Sequence, residues 1–248
     1  MKYIHLKVGL ALIFVFGGWV SLCAQVRQGT IIYERKIDVH RHLQDEQMKA
    51  MVPQFQTAGY ELLFRDSISV YKVVPKDDAP DPFESGGGGA HIVMKFGGPG
   101  DDGVLYKNFG SGRLMEEATL GDKKYRITDS IPVLPWKLSE ETVTILGHVC
   151  KKAMTVTSRG SKVVAWYAEE MAIPAGPDKF SGLPGVVLKL DVDSGSVVFM
   201  ATKILSSVDA GELKAPSGGL VITRAGFEKK MDEVIGPADA QGRRMIRN

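Results

Sequence analysis

The stretch Trp166-Tyr167-Ala168-Glu169-Glu170-Met171-Ala172-Ile173-Pro174-Ala175-Gly176-Pro177-Asp178-Lys179-Phe180-Ser181-Gly182-Leu183-Pro184-Gly185 runs directly into Val186-Val187-Leu188-Lys189-Leu190. Three prolines and three glycines fall within residues 174–185. Such a backbone continues neither a helix nor a regular ladder, because pyrrolidine rings fix φ and remove donors while glycine opens conformations closed to other residues. The segment is therefore a shaped, rigid loop, with apolar strand sequence after it and a Trp-Tyr strand end before it.

On either side of this loop, β-branched and aromatic runs recur between turn residues. They cover residues 29–39, 60–73 (a pair joined around Asp66-Ser67), 104–109, 113–119, 124–129, 142–146, 149–157, 162–168, 186–192 and 197–205. Gly110-Ser111-Gly112, Gly121-Asp122, Arg159-Gly160-Ser161 and Asp193-Ser194-Gly195 supply turns between them. About ten short strands at such spacing predict a β-dominated α+β fold, a curved antiparallel sheet or open half-barrel with one or two helices. One helix is expected over 43–55, where Leu43, Met48, Met51 and Phe55 punctuate polar residues and Pro53 ends the pattern. The other is expected over 224–234, capped by Thr223 and stopped at Gly236-Pro237.

Residues 1–24 read as a secretory signal: Lys2 and Lys7, an apolar run from Val8 to Val20, and Ala24 at the cleavage point. The run is shorter than the roughly 20 residues of a spanning helix. Cys23 would carry the lipid in a lipoprotein reading, but Leu22 stands where such signals want a small residue. The chain has 31 basic and 29 acidic residues; loss of Lys2 and Lys7 leaves a formal net charge of zero and no global pull towards nucleic acid or anionic lipid. Only Cys150 would remain, so no intramolecular disulfide can form and the core must supply the stability. Residues 25–205 then form one β-rich domain, interrupted at 75–103 by a flexible excursion rich in Gly, Pro and Asp, with 206–248 as a tail. Gly98, Gly100 and Gly103 fit the dinucleotide pattern only formally: Pro99 removes a donor and Asp101-Asp102 would repel a pyrophosphate.

The motif Gly182-Leu183-Pro184-Gly185-Val186-Val187 resembles the signature of the GLPGLI family of secreted Bacteroidetes proteins. The resemblance extends to Trp136-Lys137-Leu138, to Gly147-His148-Val149-Cys150-Lys151-Lys152-Ala153, and to Val164-Ala165-Trp166-Tyr167 with Ile173-Pro174 and Gly176-Pro177. His148 stands where that family usually has an aromatic, and Val186-Val187 where Leu-Ile is usual. The resemblance implies a periplasmic or secreted protein and no known chemistry.

For function, the loop offers two readings. In one, Gly182 and Gly185 take conformations closed to other residues, Leu183 plugs the core and Pro184 stiffens the turn. In the other, the loop with Trp136, Trp166, Tyr167, Phe180 and Leu183 lines the mouth of a pocket for an apolar, lipid-like ligand or a cell-envelope protein. His148 and Cys150, two apart on a strand, could share a face towards a metal, as could His40 and His42, but neither pair completes a ligand set. A hydrolase or metal-dependent enzyme would draw on these groups and on Glu169, Glu170 and Asp178. No Gly-x-Ser-x-Gly, His-Glu-x-x-His or Cys-x-x-Cys is present, so no catalytic residue and no cofactor is assigned. Asp191-x-Asp193-x-Gly195 opens like a calcium loop but lacks the twelfth-position glutamate, and a hairpin turn accounts for it.

Overall fold

The computed structural model describes residues 26–43, 45–74 and 103–237. The residues read as a secretory signal, Cys23 among them, and nearly all of the 75–103 excursion lie outside these residues. Among the described residues twelve strands form one sheet. Its first meander is β1 (Gln28–Asp38), β2 (Phe55–Arg65), β3 (Ile68–Val73), β4 (Leu105–Asn108), β5 (Arg113–Leu120) and β6 (Lys123–Ser130). The second is β7 (Lys137–Ile145), β8 (His148–Val156), β9 (Lys162–Ala168), β10 (Val186–Val192) and β11 (Val197–Leu205). They join where β1 pairs antiparallel with β11, giving the order β12-β6-β5-β4-β3-β2-β1-β11-β10-β9-β8-β7. A short β12 (Leu220–Ile222) runs parallel to β6 at one edge, and β7 forms the other.

The connection between the meanders shows why the sheet is curved. In a flat sheet β6 and β7 would stand ten spacings apart, about 48 Å, yet the link from Ser130 to Lys137 reaches at most about 25 Å when extended. The sheet therefore curls until its two ends approach, and stays open because β7 and β12 do not pair. The fold is the β-dominated α+β class with a curved, open sheet.

Several elements differ from the sequence expectation for identifiable reasons. The first helix is only α1 (Glu46–Met51), capped by Asp45, whose side chain accepts from the Gln47 and Met48 amides. Pro53 pushes Val52 into extended backbone, at φ −125 and ψ 145, and so ends α1 early. Phe55 starts β2 instead of closing a helix, because the whole of β1 offers a ladder and Asp38 pairs with Phe55. A 3₁₀ turn at Val39–His42 also intervenes. β7 begins five residues before the expected segment, with a bulge between Leu138 and Thr142. Within the segment read as a tail, β12 and α2 are tied into the fold. α2 (Arg224–Val234) buries Phe227 against Ala118, Leu120, Tyr125 and Ile127, and the Thr223 side chain accepts from the Gly226 amide.

The main core unites both meanders. Ile31, Tyr33, Leu62 and Phe64 from the first meet Val163, Ala165, Leu188 and Leu190 from the second. At about 1.5–3 kcal/mol per fully buried large apolar side chain, this cluster is the dominant favourable term. Met171, Ile173, Ala175 and Leu183, all from the β9–β10 connection, belong to the same cluster.

Candidate functional site

The β9–β10 connection lies as a strap across the curled sheet. Gly182 accepts its place through its backbone, at φ +94, a conformation costly for any L side chain. Gly185 serves differently from the expectation: its φ is not positive, and its role is close approach, since a Cβ there would overlap the Ala168 carbonyl. A Cβ on Gly176 would likewise overlap the Phe180 carbonyl. The strap closes on itself through Gly182 N to Pro174 O (3.0 Å) and Val187 N to Ala175 O (3.0 Å). It is fastened to the sheet by Tyr33 Oη donating to Val187 O at 2.5 Å and Trp136 Nε1 donating to Ser181 O at 3.0 Å.

The expected aromatic mouth is distributed through this packing. Tyr167 and Leu183 are each only 1% exposed and sit in the core; Trp136, Trp166 and Phe180 are half-buried against it. Pro184 is exposed and Lys152 Nζ stands 5.9 Å from the Trp166 ring centre. The two concavities described next take none of these five residues.

The larger concavity is a groove of about 520 Å3 beside the start of the strap. Its floor is Phe64, Met171, Ile204 and Val26, and its rim carries Leu146, Leu205, Lys203, Thr202, Ser206 and His148. Leu146 is unusual. It occupies the first position of the two-residue β7–β8 turn at φ +50, with Gly147 following at φ +87, and its side chain is 48% exposed. Turns of this shape favour Asn-Gly, and a bulky residue in left-handed backbone costs about 1–2 kcal/mol.

His148 forms the next position of that rim. Its Nδ1 meets Glu170 Oε1, and Glu170 O accepts from Val26 N at 2.9 Å. Cys150 is turned away into the core, its thiol directed at the His148 carbonyl at 3.5 Å and its pKa pushed up to about 11, first by burial and then by Glu170. The two residues do not converge on one point as a chelating pair would. His40 Nε2 lies 3.0 Å from the Val52 carbonyl; the His42 side chain lies outside the described residues. Of the carboxylates near the strap, Glu169 pairs with Lys151 at 2.9 Å and Glu170 with His148. Among the described residues no group of three or more His, Cys, Asp or Glu is placed to hold a metal ion. The Asp191–Gly195 segment is a hairpin turn, its Asp191 Oδ1 accepting from Gly195 N at 2.7 Å.

The smaller concavity, about 40 Å3, lies between the strap and the first meander, lined by Arg35, Tyr60, Tyr71, Glu116 and Asp178 among others. Next to it Lys107, 1% exposed, donates from Nζ to the Asp178 carbonyl at 2.5 Å. Burial lowers the Lys107 pKa to about 8, partly opposed by the Asp178 charge. None of Arg35, Tyr71, Lys107 or Glu116 stands out in the sequence, because each occupies an ordinary strand position. A lysine at the inward register of a strand is the one signal that could have drawn attention to Lys107.

Against known families, residues 113–216 match the model described as N-glycanase peptide, N-terminal domain, less than half of the chain. Two solved structures of PNGF-II, in C2 and P21 crystal forms, share the fold, each at 15% identity and a TM-score of 0.56 over 84% of this chain. The chain spans about a third of their length, 33% and 34% respectively. No curated protein matches the sequence.

Proposed function

We propose that this protein is an exported binding module of the GLPGLI type, acting in the periplasm or outside the cell, and that it takes an apolar ligand in the groove under Leu146. The observation that carries this reading is Leu146 itself. Local backbone strain and an exposed leucine are both retained at the rim of a groove floored by Phe64 and Met171, and strained positions of this kind cluster at binding sites. The volume falls within the ordinary range of small-molecule sites, and the few polar groups on the rim suit a ligand with one polar end. In this reading the strap is structural support, and the ligand site lies beside its start at Met171 instead of at 174–185.

The test uses the uncharged apolar fluorophore N-phenylnaphthylamine. A single saturable site is expected, competed by fatty acids and weakened about tenfold when Leu146 is replaced by Asn, the loss of roughly 1.4 kcal/mol of apolar contact. Absence of saturable uptake would count against the reading. A second reading rests on the match over residues 113–216: the module works beside an N-glycan-removing enzyme, presenting glycoprotein to it. Retention of a high-mannose glycoprotein, but not of its enzymatically deglycosylated form, on the immobilised protein would favour that alternative.

A further inference from the structure

The groove under Leu146 is apolar at its floor and charged at one point of its rim, and a break in strand register makes the division. Along β11 the side chains of Phe199 and Ala201 turn into the core. Regular alternation would bring Lys203 inward next. The ladder to β1 slips instead: Ile32 pairs with Lys203 and Tyr33 with Ala201, so Thr202 is an extra residue, a β-bulge. The Thr202 hydroxyl donates to the Ile32 carbonyl at 3.2 Å and fastens the bulge. Beyond it the inward position passes to Ile204, which packs against the main core, and Lys203 is left exposed on the rim.

The polar groups of the rim can be assigned one by one. Thr202 is committed to Ile32, and His148 Nδ1 to Glu170 Oε1. Ser206 is exposed and uncharged. Neither an aspartate nor a glutamate lines the groove, and Lys203 makes no ion pair among the described residues. The lysines of the neighbouring β8 are different: Lys151 holds Glu169 and Lys152 holds Glu141, each at 2.9 Å. The floor, made by Val26, Phe64, Met171 and Ile204, offers no side-chain donor or acceptor to a sugar. An unanswered ammonium at the margin of an apolar groove favours an occupant with a negative charge at one end and hydrocarbon elsewhere. With no arginine and no second lysine in the lining, a single negative charge is the better match than a doubly charged phosphate.

We infer that the groove takes a long-chain monocarboxylate, a fatty acid in its ionised form, with the carboxylate at the Lys203 ammonium and the chain along Ile204, Met171 and Phe64. The inference rests on the groove reading proposed above and adds to it the charge and the position of the ligand's polar end. Burial of the chain supplies most of the affinity. Lys203 supplies the choice among amphiphiles, because an exposed ion pair is weak and screened by salt yet still separates an anion from an uncharged or cationic end of equal length. The bulge at Thr202 is the device that keeps this charge on the rim and out of the floor.

The experiment is displacement of N-phenylnaphthylamine from the chain beginning at residue 25 by dodecanoate, dodecanol and dodecyltrimethylammonium, each kept below its micelle concentration. Dodecanoate should displace the probe about fivefold more tightly than dodecanol, with the cation weakest, and the preference should shrink as sodium chloride is raised. In Lys203→Met, which keeps an unbranched side chain and removes the charge, dodecanoate should fall to the level of dodecanol while binding of the uncharged probe is retained. Lys123→Met, at an exposed lysine of β6 outside the groove, should leave the order and the fivefold ratio as they were. Equal displacement by all the amphiphiles, or a preference for dodecanoate that survives Lys203→Met, would overturn the inference and leave the groove reading standing. Absence of saturable probe uptake would remove both.

Discussion

The strap and the β7–β8 turn meet at the groove but are built on opposite terms. In the strap the unusual residues are satisfied: Gly182 uses its positive φ, Gly185 and Gly176 allow backbone contact, and Leu183 is buried. In the turn the unusual residue is unsatisfied, with Leu146 strained in its backbone and exposed in its side chain. Backbone geometry and packing explain Gly176, Gly182, Leu183 and Gly185 of the first region, which nonetheless holds Asp178 at φ +49 and a buried Ser181 hydroxyl without a partner, while the bulky, exposed Leu146 of the second has no packing explanation. In the reading proposed above the more conspicuous sequence is the structural one, and the site of interaction is sought where the fold tolerates a local cost.

Substitutions should separate the two regions. The largest effect is expected for Gly185→Ala, because the added methyl overlaps the Ala168 carbonyl and backbone must move; a loss above about 3 kcal/mol, or failure to fold, should appear in urea unfolding. Leu183→Ala should cost about 2–5 kcal/mol by the same measurement, the range for a buried leucine in a core of both meanders. Neither change should alter ligand affinity in whatever fraction remains folded. Leu146→Asn should do the reverse, gaining about 1 kcal/mol of stability by relieving the left-handed leucine while weakening N-phenylnaphthylamine binding. If both regions instead respond alike, the contrast between them fails.

A pH series sharpens the account of how the strap is fastened. Lys107 titrates near 8 in the folded protein and near its usual 10.5 when unfolded, so between these values the unfolded state binds more protons and stability rises with pH. Its contribution is present above the unfolded pKa and lost as pH falls through 8. The span is worth at most about 3 kcal/mol. Cys150 acts in the other direction above its unfolded value, being held protonated to about 11. The difference in unfolding free energy between the protein and its Lys107→Met variant, taken at pH 7.5 and pH 9.5 (about the middle of the window), isolates the lysine. The smallest effect is expected for Trp136→Phe, which removes the indole bond to Ser181 O and should cost about 1 kcal/mol without changing ligand affinity.

Much of this architecture is legible in the residues because it depends on local rules. Turn residues such as Asp66, Gly121 and Gly195 mark strand ends, and Thr223 marks the start of α2. The curl of the sheet is also within reach, once six residues must link β6 to β7. What is not legible depends on pairing at a distance. Phe55 follows β1 into a ladder instead of ending a helix, and β12 finds β6 about ninety residues earlier in the chain, a separation no local pattern encodes. The candidate site was hidden for the same reason. Tyr167 and Leu183 read equally well as rim or core, and only the register that turns them inward decides. Leu146, Lys107 and Tyr71 carry no motif; a φ angle, a depth of burial and an orphaned hydroxyl distinguish them.

The measurement that tests the central claim most directly is N-phenylnaphthylamine binding to the chain from residue 25 onward, its Leu146→Asn variant and a Trp166→Ala variant, each confirmed as folded. The account predicts one saturable site, weakened about tenfold in Leu146→Asn and unchanged in Trp166→Ala. Loss of binding in Trp166→Ala with full binding in Leu146→Asn would contradict it, and would return the site to the aromatic flank of the strap.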